Sequence, residues 1–385
     1  MDAKRTAIEI AQSMGFHRVV IGSLKPMEAE RLEYEKWLAQ GFAASMEYLK
    51  RNPHFRTSPQ LLYPGSKCAI IVSVSYYTEK PLLPAPYFGD IARYAVGEDY
   101  HNVLTRKLNE LRAKIESVLG RPILARAFTD DVQLCEQAYA VRHGLGFSGK
   151  NTMVIGPKLS GSYNFVAELF TDLDLEPDEA YQGTCGQCFR CGVACPTKAI
   201  TDDGHVDANL CISFLTIENK NGIPLHLRKA LGRWVFGCDI CQEVCPYNQR
   251  PLETPWVEFK SGSGVGHNIN LFEILAIDTQ ARFKSLFGHT PLSRPKRAGL
   301  IRNALVVLGN SLADSKDQKD NSWVEEARDR IWTFFECEAN PMLREHAAWA
   351  ISQHPDAPAN TLQKMLAREI DEANKRKIEE YLGCL

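Results

Sequence analysis

The first 175 residues alternate between two kinds of hydrophobic pattern. Some segments repeat apolar residues at helical spacing, and others are short runs of β-branched and aromatic residues typical of buried strands. The helical segments are 3–14, 28–38 and 101–118, and the strand-like segments are 69–76 and 163–170. Helices that alternate with strands are typical of a layered fold. We therefore predict an α/β domain over residues 1–175.

From residue 268 onward the pattern is helical throughout. Four apolar stripes at helical spacing succeed one another. They are Leu300, Ile301, Ala304, Leu305 and Leu308, then Ile331, Phe334 and Phe335, then Ala347, Ala348 and Ile351, then Leu362, Met365 and Leu366. Successive amphipathic helices with alanine-rich faces are typical of short stacked repeats. We predict a HEAT-like α-helical repeat domain over residues 268–385.

Between these segments the chain concentrates its cysteines. The first group reads Cys-x2-Cys-x2-Cys-x3-Cys-Pro, the second reads Cys-x2-Cys-x3-Cys-Pro, and one cysteine stands between them. The members are Cys185, Cys188, Cys191, Cys195, Cys211, Cys238, Cys241 and Cys245. This is the bacterial ferredoxin spacing, in which three close thiolates bind one 4Fe-4S cluster and the cysteine before proline binds the other. We predict a bacterial-ferredoxin-like domain with two 4Fe-4S clusters over residues 176–267.

Because the cysteine before each proline binds the other cluster, a crossed assignment, the eight cysteines form two ligand sets. The first set is Cys185, Cys188, Cys191 and Cys245, and the second is Cys195, Cys211, Cys238 and Cys241. Two structural zinc sites are the alternative, because zinc also binds Cys-x2-Cys pairs. Zinc does not require a further cysteine at the next step and another before proline. The spacing therefore favours iron-sulfur clusters.

The three predicted domains together make an α+β multidomain protein, and the composition is that of a globular chain. The chain has 385 residues, of which 44% are hydrophobic and 24% charged, so a sizeable core can form. No apolar run reaches the roughly 18 residues of a membrane span. The first residues are charged, and we expect a cytoplasmic protein without a secretory signal. The isolated cysteines, Cys68, Cys135, Cys337 and Cys384, are expected to behave as small buried apolar residues.

The order of these segments resembles the epoxyqueuosine reductase family. The resemblance covers nearly the whole chain and rests on motifs that occur together in order. They are 93–95 with 99–101, 144–151, 211–216, 237–242 and 287–290. The family consists of cobalamin-dependent iron-sulfur enzymes of tRNA modification. The resemblance implies that the first domain binds cobalamin and that the protein reduces epoxyqueuosine to queuosine at the tRNA wobble position.

The implied chemistry suits the residues. Iron-sulfur clusters deliver single electrons and cannot open an epoxide alone, whereas cobalamin reduced to Co(I) is a nucleophile that can attack the ring carbon. The alkoxide that results needs a proton, and the resemblance assigns Asp130 as its donor. A carboxyl group can donate at neutral pH when desolvation raises its pKa. From the residues alone, Asp130 could equally be the N-cap of the following helix.

The resemblance also implies cobalamin contacts. They are Arg56, Val154, Ser213 and Asp239. Ser213 and Asp239 adjoin cluster cysteines, so a cluster would lie near the corrin ring. The chain departs from the family at Gln137, where an arginine is typical, and so lacks one bidentate contact to a phosphate or carboxylate.

Two further features bear on ligand binding. The glycines of segment 144–151 lack the Walker spacing, and we expect them to allow close approach of a bulky ligand. The segment Asp203-Gly204-His205 lacks the later glycine of histidine-ligated corrinoid proteins, so we expect cobalt without a protein histidine. His101 and His143 are then expected to be surface or hydrogen-bonded residues.

The charge of the chain and the family resemblance together predict its binding partners. The formal net charge is −2, so a tRNA anticodon stem-loop would need a local basic face. We predict that face at Arg294, Lys296, Arg297 and Arg302, with a solvated helix end as the alternative. An external one-electron donor such as flavodoxin or ferredoxin and a monomeric state are also expected. Two other functions stay open here: a corrinoid iron-sulfur reductase of a small molecule, and a non-catalytic iron-sulfur electron carrier.

Overall fold

A computed structural model describes residues 2–82, 84–157, 161–317, 322–354 and 359–383. The strands are β1 Arg18–Ser23, β2 Cys68–Ser75, β3 Phe88–Ile91, β4 Ala125–Phe128, β5 Phe147–Ser148, β6 Val154–Ile155, β7 Asn164–Thr171, β8 Trp234–Phe236 and β9 Asn268–Asn270. The helices before residue 250 are α1 Ala3–Ser13, α2 Glu28–Ala39, α3 Glu47–Lys50, α4 Pro53–Arg56, α5 Tyr100–Leu119, α6 Glu136–Arg142, α7 Arg190–Ala194, α8 Ile212–Ile217, α9 Leu225–Arg228 and α10 Ile240–Glu243. The later helices are α11 Leu271–Leu275, α12 Gln280–Phe287, α13 Lys296–Ala313, α14 Ser322–Cys337, α15 Pro341–Ser352, α16 Ala359–Arg368 and α17 Glu372–Gly383.

The chain forms two compact units. The first unit is Met1–Glu79, Val96–Cys211 and Asp239–Gly264. The second unit is Lys80–Ala95, Ile212–Cys238 and Val265–Leu385. These units follow packing and not cofactor content, so the division into three domains at residues 175 and 267 stays a prediction.

The first unit is built on a four-stranded sheet in the order β1-β2-β7-β4, with every pairing antiparallel. The alternation of helices and strands therefore does not produce a parallel sheet. Strand β2 is buried along its whole length, and the core packed on one face of the sheet includes Ile71, Phe128, Tyr139 and Phe170. A mixed helix and strand fold, as predicted, is confirmed.

The predicted elements of this unit are present with ends that shift by one or two residues. Helix α5 is one residue longer at each end than the predicted segment 101–118. The Asp99 side chain accepts a hydrogen bond from the His101 backbone N–H, and this N-cap starts the helix one residue earlier than predicted. The helix ends at Leu119 and is followed by Gly120 as its C-cap, whose φ of +66° suits glycine. Strong hydrophobic periodicity located these elements, and capping chemistry set their ends.

The glycines of segment 144–151 serve the fold itself. A Cβ atom on Gly146 would lie 2.4 Å from the carbonyl oxygen of Ile155, and one on Gly144 would lie 2.3 Å from the carbonyl oxygen of Glu179. The close approach at Gly146 lets β5 and β6 pair as a short antiparallel hairpin. The close neighbour of both glycines is thus the chain's own backbone, and the approach of a bulky ligand to this segment stays a prediction.

The second unit combines a small mixed sheet with the C-terminal helices. Strand β3 pairs parallel to β8 and antiparallel to β9. Helix α13 is buried on all sides from Gly299 to Gly309 and packs against α15. The predicted helical character is confirmed, while the HEAT-like assignment stays a prediction. No helix within the described residues is both long and apolar enough to cross a lipid bilayer.

Arg302 lies in the interior of the second unit and not on a basic face. Its side chain is fully buried, and its guanidinium donates hydrogen bonds to the carbonyl oxygens of Leu215, Asn219 and Asn221 at 2.6–2.7 Å. The prediction that Arg302 contacts tRNA phosphates is therefore wrong. The guanidinium instead satisfies the backbone around the end of α8.

The other three residues of the predicted basic face differ in exposure. Arg294 and Lys296 are exposed, and Arg294 pairs with Glu218 at 2.7 Å. Arg297 is partly buried and pairs with Glu338 at 2.8 Å. Arg294 and Lys296 are thus the members of this group that remain accessible to a phosphate.

Replacement of Arg302 by methionine is expected to lower the free energy of unfolding by about 2–4 kcal/mol, because buried carbonyl oxygens lose their donors. The urea midpoint of unfolding, followed by circular dichroism, measures this change. Replacement of the exposed Lys296 by methionine is the matched control and should shift stability by no more than about 0.5 kcal/mol. Equal midpoints for the two variants would contradict the buried role of Arg302.

The isolated cysteines differ in burial. Cys68 is buried and Cys135 is partly buried, in line with the expectation of small apolar residues. Cys337 is exposed, so that expectation is wrong for it. Cys384 lies outside the described residues.

Candidate active site and cluster cysteines

The two cysteine groups of the first unit meet through short helices. Helix α7, which carries Cys191, packs against α10, which carries Cys241. Burial raises the pKa of Cys245, and the thiols of Cys185 and Cys188 add to that shift. Burial likewise raises the pKa of Cys191, with additions from Cys185 and Cys245. The four thiols of the first predicted set are therefore neighbours in space.

Three of the four cysteines of the second predicted set, Cys195, Cys211 and Cys241, lie in the first unit. Burial and the nearby thiol of Cys211 raise the pKa of Cys241 to about 12. The Sγ atom of Cys195 accepts a hydrogen bond from the Ala199 N–H at 3.4 Å. Cys238, the fourth predicted ligand, is the last residue of a segment of the second unit.

The chemistry of this donor set suits a metal cluster. A thiol buried like Cys241 ionises only when a cation stabilises its thiolate, and iron supplies such a charge. Among the residues that the structure describes, no three His, Cys, Asp or Glu side chains form a site for one metal ion. Thiols on α7, α10 and their flanking loops are the type of donor that iron-sulfur clusters use.

Asp130 lies in the loop between β4 and α6. Its backbone has a φ of +53°, an uncommon conformation for a residue other than glycine. Its Oδ2 atom accepts a hydrogen bond from the Tyr100 hydroxyl at 2.9 Å, and its N–H donates to Glu136 Oε1 at 2.6 Å. The side chain is 68% exposed. The alternative of an N-cap is wrong, because α6 begins at Glu136 and follows Cys135.

A histidine and a second aspartate border the Asp130 carboxylate. His101 Nε2 lies 3.9 Å from Asp130 Oδ2, and His101 Nδ1 lies 2.7 Å from Asp99 Oδ1. Burial opposes the charged imidazole, but the hydrogen bond and charge of Asp99 outweigh it and raise the pKa of His101. His101 is hydrogen-bonded, as expected, and so is buried His143, which contacts Tyr139 O at 2.9 Å. Sequence reasoning did not place His101 beside Asp130.

Glu168 is a site residue that sequence reasoning missed. It lies on β7, fully buried, on the face that also carries Phe170, and its register partners are Ile71 and Phe128. Within the described residues, both oxygens of its carboxyl group are buried without a hydrogen-bond partner. Burial raises the pKa of Glu168 to about 8, and burial together with the charge of Glu168 raises that of Glu136. The one available signal was an acidic residue inside an apolar strand run.

The predicted cobalamin contacts do not all lie in one unit. Arg56, Val154 and Asp239 belong to the first unit and are buried, whereas Ser213 is half-buried on α8 of the second. The Arg56 Nη2 atom donates to Tyr48 O at 3.0 Å. Within the described residues its buried Nε atom has no hydrogen-bond partner.

An open cavity is lined in part by residues that lie close to Arg56 and Asp130 in sequence. Its volume is about 390 Å³, and its lining includes Phe55, Phe128 and Val132. Phe55 immediately precedes Arg56, and Val132 follows Asp130 by two residues. Gln137, where the family typically has arginine, is exposed. The lining also includes the polar residues Asn52, Arg126 and Gln133, so the cavity offers both apolar surface and hydrogen-bonding groups to a ligand.

Two family models match parts of the chain. The model described as 4Fe-4S double cluster binding domain matches residues 184–248, which contain all eight predicted cluster ligands. The model described as Epoxyqueuosine reductase QueG, DUF1730, matches residues 56–131, from Arg56 to the residue after Asp130. The first match supports two iron-sulfur clusters, as the spacing predicted.

Relatives match the chain over most of its length. The epoxyqueuosine reductase of Leadbetterella byssophila is 37% identical over 77% of this chain and 95% of its own. A crystal structure of epoxyqueuosine reductase with a tRNA-Tyr epoxyqueuosine-modified stem-loop superposes with a TM-score of 0.87 at 30% identity, covering 99% of this chain and 98% of that one. A Bacillus subtilis epoxyqueuosine reductase, with its catalytic aspartate loop swung out of the active site, has the same TM-score, identity and coverage.

Proposed function

The chain belongs to the epoxyqueuosine reductase family, and from that premise we propose that it reduces epoxyqueuosine in tRNA to queuosine. The observation that carries this proposal is the match over 99% of the chain to a relative bound to its modified stem-loop. That full-length likeness favours a tRNA substrate over a small molecule and favours an enzyme over an electron carrier. The protein is thus an oxidoreductase.

Two 4Fe-4S clusters supply the electrons one at a time. The first set of ligands is proposed as Cys185, Cys188, Cys191 and Cys245, and the second as Cys195, Cys211, Cys238 and Cys241. The proximity of the Cys185, Cys188 and Cys245 thiols supports the crossed assignment. Reduction of an epoxide takes two electrons, so both must pass through the protein in each turnover. An external one-electron donor such as flavodoxin or ferredoxin would deliver them.

Cobalamin is the proposed second cofactor. Arg56, Val154, Ser213 and Asp239 are the residues that would hold it, and the unpartnered Nε atom of buried Arg56 is a donor that a corrin amide could satisfy. When bound, cobalamin supplies a cobalt centre that becomes a strong nucleophile on reduction. No histidine of the chain is assigned as a cobalt ligand.

The residues around Asp130 are proposed to donate and position the proton of the reaction. The Asp130 carboxyl is proposed to protonate the oxygen that the epoxide ring opening releases, and the Tyr100 hydroxyl at 2.9 Å orients it. His101, held by Asp99, lies 3.9 Å from the same carboxylate, and the raised pKa of its imidazole favours the protonated form that would stabilise negative charge on the substrate oxygen. Because the Asp130 side chain is exposed, a bound substrate can reach it directly.

Binding of the tRNA is proposed to use exposed basic residues. Arg294 and Lys296 are accessible members of the predicted face, and they would contact the phosphate backbone. Such contacts fix the position of the stem-loop, and the modified base is then recognised at the active site. A cytoplasmic, monomeric protein is proposed as well.

Conversion of a tRNA substrate tests this function. Anaerobic protein reconstituted with iron, sulfide and cobalamin is incubated with an epoxyqueuosine-containing stem-loop and a chemical reductant, and the nucleosides are analysed by mass spectrometry. The expected result is queuosine in amounts exceeding one per enzyme molecule. Persistence of epoxyqueuosine with fully loaded enzyme would refute the proposed function.

A further inference from the structure

A surface groove runs between the two short helices that carry cluster cysteines. It lies in the first unit, where α7 packs against α10, and has a volume of about 700 Å³. Its lining includes Phe189, Val193, Val244, Cys245 and Pro246. Of the four thiols in the first predicted ligand set, Cys245 is the one that lines the groove within the described residues. The groove is therefore a surface beside the site of the first cluster and not that site itself.

The groove presents apolar side chains to solvent. Val193 is 71% exposed, and Phe189, Val244 and Pro246 are each partly exposed. The Phe189 ring has a fixed position because it packs over α7 at Gly192, where a Cβ atom would collide with it. Apolar side chains that line one groove form a contiguous patch, and such patches mark interaction sites more often than scattered apolar residues do.

Positive side chains border this patch. Arg190 is an exposed lining residue, and Lys198 Nζ donates a hydrogen bond to the Val193 carbonyl oxygen at 2.9 Å. Lys150 Nζ lies 5.8 Å from the centre of the phenylalanine ring of the groove. Glu243 is the acidic residue among the described residues that line the groove. Three cations beside one carboxylate favour a partner whose contact surface is acidic.

The proposed reaction needs a protein partner close to a cluster. Epoxide reduction consumes two electrons, which an external carrier must deliver one at a time. Electron transfer between proteins falls steeply with distance, so the carrier must dock beside a cluster ligand. The proposed cobalamin contacts Ser213 and Asp239 adjoin cysteines of the second set in sequence. The first set, with Cys245 in the groove, is thus the set that would receive electrons from outside.

We propose that this groove is the docking surface for an acidic one-electron carrier protein, which reduces the first cluster there. The inference rests on the proposed function, because a redox role for the clusters is what calls for a carrier. Each encounter oxidises the carrier by one electron and reduces the first cluster by one, and no bond forms or breaks in that step. Two encounters supply one epoxide reduction. Small interfaces are typical of transient electron-transfer complexes, and charged rims speed their association.

A negative charge placed in the groove separates this role from a structural one. Val193→Glu and Arg190→Glu are prepared as anaerobic proteins loaded with iron, sulfide and cobalamin, and iron analysis and electron paramagnetic resonance verify both clusters. The matched controls are Val257→Glu and Arg121→Glu, which change exposed residues outside the groove lining. Reduced flavodoxin, an acidic carrier, is the probe. Stopped-flow absorbance of the iron-sulfur band measures how fast it reduces the clusters.

The rate constant for cluster reduction by flavodoxin should fall at least about tenfold in both groove variants and stay within about threefold of the parent in the controls. The parent's rate constant should also fall as salt is added, because salt screens the attraction between opposite charges. Dithionite is a small reductant that needs no docking surface. With dithionite, the parent, the groove variants and the controls should therefore convert the stem-loop equally.

Equal reduction of the parent and the groove variants by flavodoxin, or no reduction of the parent at all, would overturn the inference. Two other occupants have their own signatures. Weaker stem-loop binding by the groove variants on a native gel would make the groove an RNA surface, and a parent dimer that Val193→Glu separates would make it a surface between two copies. Either result would overturn the inference as well.

A further variant and the dithionite assay keep the outcomes distinct. Where a groove variant loses iron, Gln249→Glu replaces it, because Gln249 lines the groove outside both cysteine motifs. Groove-dependent reduction by flavodoxin beside failed conversion with dithionite would keep the docking surface and refute the proposed function. Equal reduction of all variants beside normal conversion with dithionite would refute the docking surface and keep the function.

Discussion

Replacement of Asp130 by asparagine is expected to lower kcat for epoxide reduction by about 10²- to 10⁴-fold, the range typical for loss of a general acid. Asparagine retains an oxygen that accepts the Tyr100 hydrogen bond and tolerates the positive φ, so the loop keeps its position. It has no acidic proton to give to the substrate oxygen. The KM for the stem-loop should change little, and single-turnover kinetics with nucleoside analysis measure both quantities.

The neighbouring aspartate is the matched control for that prediction. Asp131 Oδ1 accepts a hydrogen bond from the Thr129 N–H at 2.9 Å, a contact that an asparagine oxygen can also make. Asp131→Asn should therefore have a kcat within about threefold of the parent, because surface substitutions that keep their hydrogen bonds have small effects. Equal activity of Asp130→Asn and Asp131→Asn would show that another group, such as His101, donates the proton.

Paired cysteine substitutions are expected to separate the two clusters. In the crossed assignment, Cys185 and Cys245 bind the same cluster, so the double variant with serine at both positions should lose one cluster and keep about four of about eight irons. Its reductase activity should fall to background, because electrons can no longer reach the second cofactor through two clusters. Iron analysis and electron paramagnetic resonance of anaerobic protein measure the loss.

A second double variant provides the control for the assignment of cysteines to clusters. Serine at Cys185 and Cys195 removes one ligand from each cluster in the crossed assignment, so iron should fall well below four per chain. In a sequential assignment, where the first four cysteines bind one cluster, the two double variants would show the reverse pattern. The comparison tests the wiring without reference to any substrate.

Periodic segments of the chain could be predicted well from sequence. Strands β2 and β7 and helix α5 lie within about two residues of the predicted segments, because their apolar patterns are long and unbroken. The cluster cysteines were found by spacing, which iron-sulfur ligation fixes closely. Asp130 was found through the family motif, and the start of α6 at Glu136, directly after Cys135, then excluded the simpler role of a helix cap.

Residues whose partners are distant in sequence could not be predicted. Arg302 was assigned to a surface because charged residues on helices usually face water. The stretch of α13 from Gly299 to Gly309 is instead buried on all sides, and the loop residues that Arg302 contacts lie more than 80 positions earlier. Glu168 is buried only when α6 packs against β7 in the folded chain. A two-residue period cannot reveal such a contact, because it reports the face of a strand and not what covers it.

Metal and corrinoid content of one anaerobic preparation tests the central claim most directly. The account predicts about eight irons and one cobalamin per chain, with cobalamin taken up when it is supplied in excess. Zinc in place of iron, or no cobalt retained by protein that holds both clusters, would contradict it.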